Sequence, residues 1–195
     1  MSSRNLRFLV TLVAIACAIG TASAAFAKGE ASFPRHVPCQ ASGYAVHPDT
    51  EIRASPSADA PLLAKVSPRG AIEGGFEIAG TLPEFEIRGY RDGWFLIAGT
   101  SYGDYGDYGD DPLPEAPLYA GEGWMHGRDI SGQLRPGRLH RAPSESSRSR
   151  EYGVEPDAIV VRRLLACQGW WVKVETDIGT GWAPGMCGNQ VTTCN

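Results

Sequence analysis

The chain has little of what catalysis is usually built from. Its 195 residues hold four histidines: His36, His47, His126 and His140. No His-Glu-x-x-His zinc motif, Gly-x-Ser-x-Gly elbow or phosphate loop occurs. An enzyme needs a nucleophile, base or metal held in geometry. The expectation is no catalytic residue, no cofactor and no metal. Also missing is any apolar stripe at helical spacing. With 24 Gly and 14 Pro, long helices are excluded. No apolar run reaches the length of about 20 residues that spans a bilayer, and none inserts into a membrane once the N-terminal segment is removed. There is no excess of positive charge either. A formal charge of −4 is a poor prior for nucleic acid or anionic membrane.

That N-terminal segment has the three parts of a cleavable secretory signal. Arg4 and Arg7 precede an uncharged apolar run over 8–19, and Ala22-Ser23-Ala24 provides the small residues at a cleavage site. Residues 1–24 read as a signal peptide, and the mature chain as periplasmic or secreted. Cys17 lies inside the apolar run and leaves with it. Cys39, Cys167, Cys187 and Cys194 remain. No pair has the Cys-x-x-Cys spacing of zinc sites, so in an oxidising compartment they read as two disulfides, with three connectivities open. For the same reason Cys39 with His47 is not read as a cysteine peptidase.

Short alternating apolar runs bounded by Gly and Pro point to strands at 85–87, 94–97, 158–161 and 170–174. The fold class is all-β. Four blocks occur twice in the same order. Ile52-Arg53-Ala54-Ser55-Pro56-Ser57 is answered by Leu139-His140-Arg141-Ala142-Pro143-Ser144. Val66-Ser67-Pro68-Arg69-Gly70 is answered by Val154-Glu155-Pro156-Asp157-Ala158. Asp92-Gly93-Trp94 is answered by Gln168-Gly169-Trp170, and Gly121-Glu122-Gly123-Trp124 by Gly179-Thr180-Gly181-Trp182.

At these blocks the chain resembles the bacterial SH3 (SH3b) family, with its arginine, small residue and proline, its proline-glycine turn and its Gly-x-Trp strands. Both copies depart from the family's opening Asn-Val-Arg, and the proline-glycine turn survives only as Pro68-Arg69-Gly70. The resemblance implies two tandem small SH3-like β-barrels, at 44–135 and 136–195, after a flexible leader at 25–43. Copy one carries an insertion around 74–86, expected to lengthen a hairpin, and a second at 101–117. The second contains Asp104, Asp107 and Asp110 at every third place. It lacks the alternating oxygens and closing Glu of an EF-hand and reads as a solvated acidic loop, with weak calcium binding the alternative. The segment 144–150 also reads as a solvated loop.

The aromatics Tyr90, Trp94, Trp124, Tyr152, Trp170, Trp171 and Trp182 recur at matched block positions. Half or more should be core. Trp170 and Trp171 are adjacent, so on a strand they face opposite ways. Aromatics near this turn line a peptide-binding groove in the family, and the resemblance makes these seven the candidate ligand-binding residues. It also implies the disulfides Cys167–Cys187 and Cys39–Cys194, because the turns carrying Cys167 and Cys187 flank one groove in such barrels. The expected role is non-enzymatic recognition of cell-wall peptide or glycan, or of an exported protein. The alternatives are an inhibitor or immunity protein for an exported hydrolase or toxin, and a cell-wall hydrolase using His126 or His140.

Overall fold

Alternation of apolar and charged residues sets the strands. In Phe85-Glu86-Ile87-Arg88-Gly89 every second residue is buried while Glu86 and Arg88 face solvent, the period-2 pattern of a sheet with one wet face. A computed structural model describes residues 35–73, 77–103, 116–134, 137–151 and 159–188, with the backbone alone for 70–73 and 77–80. Residues 1–24, read from the sequence as a signal peptide, lie outside the described residues.

The described residues are all-β, with a single 3-10 turn, Gly127–Asp129, and no helix long and apolar enough to cross a membrane. In chain order the strands begin with β1 (Val37–Ala45), β2 (Thr50–Arg53), β3 (Leu62–Val66), β4 (Arg69–Glu73) and β5 (Glu77–Thr81). Next come β6 (Pro83–Arg91), β7 (Trp94–Tyr102), β8 (Tyr119–His126), β9 (Ile130–Ser131) and β10 (Gln133–Leu134). They end with β11 (Arg138–His140), β12 (Ser149–Glu151), β13 (Val161–Gln168), β14 (Trp171–Thr176), β15 (Gly179–Pro184) and β16 (Met186–Cys187). The expected strand at 158–161 is displaced: β13 begins at Val161. The insertion around 74–86 supplies part of the β4–β5 hairpin, a two-stranded sheet of its own.

One strand order occurs twice. The larger sheet runs β3-β2-β8-β7-β6-β1-β9 and the smaller runs β12-β11-β15-β14-β13. The loops after β2 and β11 share their hydrogen bonds. Ala54 N donates to Pro61 O at 2.9 Å, as Arg141 N does to Arg148 O at 2.9 Å. Ser57 N donates to Ser55 O at 2.8 Å, as Ser144 N does to Ala142 O at 2.8 Å. Arg53 pairs with Trp124, and His140 with Trp182. The glycine before each tryptophan has one cause. A Cβ on Gly123 would stand 2.4 Å from Ile52 Cγ2, and one on Gly181 2.8 Å from Leu139 Cβ. Only glycine lets the two strands cross this closely.

The registers move the third block by one residue. Arg91 pairs with Trp94 across the two-residue turn Asp92-Gly93, whose φ values are 50° and 85°, as a tight hairpin of two left-handed residues requires. Gln168 pairs with Trp171 across Gly169-Trp170. Trp171, not Trp170, is therefore the counterpart of Trp94, and Trp170 is a turn residue.

From Val37 onward the expected leader is strand: β1 pairs along β6 and with β9. Its start also reaches the other sheet. Gln40 N donates to Gly169 O at 2.7 Å, and Gly169 N donates to Pro38 O at 2.8 Å. This parallel bridge sets Cys39 5.8 Å from Cys167, Cα to Cα, and the two form a disulfide. Both expected pairings thus fall: Cys39 is not bonded to Cys194, nor Cys167 to Cys187. Cys187 lies on β16, which pairs with β10, and is itself disulfide-bonded. Around the bridge Phe95, Ile97 and Met125 of one sheet and Leu164, Val172 and Val174 of the other join a single hydrophobic core.

Two outcomes are expected. Non-reduced peptide mapping should return a Cys39–Cys167 link, and replacing both cysteines by serine should cost about 2–5 kcal/mol of stability, since the bond closes a separation of 128 residues. Gly123→Ala should cost about 1–3 kcal/mol in denaturant unfolding; an unchanged midpoint would show that β2 and β8 can part without loss.

Candidate ligand-binding cleft

The second sheet opens a cleft of about 700 Å³ between the β11–β12 hairpin and β15. Register builds it. Lys173 pairs with Trp182, Trp182 with His140, and His140 with Ser149, so one row crosses four strands. Arg138 and Arg150 flank this row on β11 and β12, and Arg141 and Arg148 close the hairpin loop through the backbone bond already described. Trp182 is half-buried in the wall. His140 is buried, and its ring stands edge-on to Trp171 with centroids 5.0 Å apart.

Charge is concentrated there. Five cations, Arg138, Arg141, Arg148, Arg150 and Lys173, share the lining with one carboxylate, Glu151. Arg138 is held: Nε donates to Ser149 Oγ at 2.7 Å, and Nη1 lies 3.5 Å from Glu151. Arg150 donates to the Ile178 carbonyl. Among the described residues Arg141, Arg148 and Lys173 have no carboxylate partner.

The candidate aromatics fall into different settings. Trp124 is 0% exposed and Trp171 6%; both are buried, out of reach of a ligand. Tyr90 packs on the core, its ring 5.1 Å from that of Phe95. Trp94 is half-buried, edge-on to His126 at 5.2 Å. Trp170 is 47% exposed on its turn, away from the cleft lining. Of the six that are described, Trp182 alone lines the cleft. Tyr152 lies outside the described residues, as do Asp104, Asp107 and Asp110. The four arginines between 138 and 150 were the signal for this site, and reading 144–150 as a solvated loop passed over it: Ser149 and Arg150 lie on β12.

The histidines are dispersed. His36 lies against Trp124, His47 is exposed, and His126 Nδ1 accepts from Arg128 N at 3.2 Å. Among the described residues no three His, Cys, Asp or Glu side chains gather to hold a metal. The fold and cleft together define a disulfide-bonded all-β protein with a cationic surface cleft. No protein-family model matches the chain, and no curated protein matches it.

Burial, with Arg128 and Arg163 adding to it and Asp129 opposing, holds the His126 imidazole below its ordinary value of 6.5. The folded state favours the neutral ring, so as pH falls the unfolded chain binds this proton first. The contribution to stability should be complete above about pH 6.5 and decline below it. Melting temperatures taken from about pH 7.5 to about pH 5 should fall less steeply in His126→Gln than in the parent; parallel curves would remove His126 as a cause.

Proposed function

We propose that this is an exported, non-enzymatic binding protein that recognises cell-wall peptide or glycan through SH3-like strands, in the periplasm or outside the cell. The observation that carries the reading is the open cleft at Trp182. Its counterpart Trp124 is sealed by the His36 ring, edge-on at 6.1 Å, whereas Trp182 stands in a concave wall among polar groups. A half-buried indole beside convergent hydrogen-bond donors is the composition of sites for peptides and sugars. The Cys39–Cys167 bond supports an oxidising compartment, and the signal-like N-terminus supports export.

The test is retention on purified peptidoglycan sacculi with turbidity followed in parallel. The expected result is protein in the pellet and constant turbidity. Falling turbidity would establish a hydrolase. A protein that stays in the supernatant would overturn cell-wall recognition and favour an inhibitor of an exported enzyme.

A further inference from the structure

We infer that the second-sheet cleft is a site for an anionic sugar chain, its oxyanions held by Arg141, Arg148 and Lys173 and a sugar face laid on Trp182. This rests on the cell-wall reading and names the ligand chemistry at its site.

Ion pairing is the first support. Ion pairs outside the cleft hold Arg53 to Glu51, Arg88 to Glu86 and Glu122, Arg128 to Asp129, Arg162 to Asp177 and Arg163 to Glu175. In the cleft Arg138 lies 3.5 Å from Glu151, while Arg141, Arg148 and Lys173 have no counter-ion among the described residues. Glu145, in the same loop as Arg141 and Arg148, is exposed and forms no ion pair with either. Cations left together repel one another, and an arriving oxyanion removes that repulsion.

The duplicated strands are an internal control. Leu96 pairs with Trp124 where Lys173 pairs with Trp182. Pro61 accepts from Ala54 where Arg148 accepts from Arg141. Leu62 faces Arg53 where Ser149 faces His140, and Ala64 faces Ile52 where Arg150 faces Leu139. The same backbone therefore forms without any of these cations, and folding does not require them.

The chemistry selects the ligand. Guanidinium forks match carboxylate or phosphate oxygens in two-point contact, and an indole gives a flat apolar face to the ring of a sugar. With a formal charge of −4 on the whole chain, a long polyanion spread over the surface meets repulsion outside the cleft. A short charged stretch of a glycan confines its oxyanions to it.

Calorimetric titration of the exported chain separates the possibilities. Tetragalacturonate carries the oxyanion as carboxylate, fructose 1,6-bisphosphate as phosphate, and chitotetraose carries none. At least one charged sugar should bind, more weakly as salt rises, and the tighter of the two identifies the oxyanion. Arg141→Gln with Arg148→Gln should weaken that binding by about tenfold or more. Lys173→Leu, which installs the residue of the first sheet, should weaken it as well, and the exposed control Arg162→Gln should not. An unchanged melting temperature in the double variant excludes unfolding as the cause. Failure of both charged sugars to bind, equal binding of chitotetraose, or undiminished binding by the double variant overturns the proposal. Sacculus retention keeps the two readings apart: if the double variant is retained like the parent, the cleft proposal falls and cell-wall recognition stands, while a parent that is not retained removes cell-wall recognition itself.

Discussion

Gly169 is the joint on which this structure depends. Its N–H and C=O are both used by β1, in bonds to Pro38 and Gln40. Its φ of 57° turns β13 into β14, a conformation that glycine adopts without strain. One residue therefore closes the hairpin of the smaller sheet and receives the first strand of the larger one. The Cys39–Cys167 bond makes that contact covalent. With the joint in place, β13 lies against β1, β6 and β9, and the apolar faces of both sheets close over one core. A small sheet alone buries little surface; two sheets sharing a core bury more.

The joint also makes the two copies of the strand order unlike. The chain entering β1 brings His36 onto Trp124, which is 0% exposed. In the smaller sheet Trp182 is half-buried, and Lys173 stands across from it where Leu96 stands across from Trp124. Leu96, across from Trp124, is 3% exposed. The ammonium of Lys173 reaches water while its stem packs.

Much of the fold was legible. Alternation in 85–91, the Asp-Gly turn before Trp94 and the paired Gly-x-Gly-Trp segments encode their strands locally, and the structure places them there. The all-β class and the presence of a disulfide followed from composition. The site was less legible. Reading Gly-Trp as the shared unit put Trp170 opposite Trp94, whereas the hairpin counts two residues back from its pair and selects Trp171. Equal weight on seven aromatics hid that Trp124 and Trp171 are buried, since the residue type that fills a core also lines a groove.

What the sequence determined by itself is whatever depends on near neighbours: period-2 burial, the tight turns, the glycines where strands cross closely, and two tryptophan-bearing hairpins in matched order. The tertiary structure decided what depends on distant approach. It brought Cys39 to Cys167 across a separation of 128 residues, turned the supposed leader into β1, and gathered Arg138, Arg141, Arg148, Arg150 and Lys173 from three strands and a loop around one cleft. A disulfide requires two α-carbons within about 4.4–6.8 Å, and a cleft requires several side chains to converge. Both are properties of packing between segments, on which no single stretch of sequence carries the information.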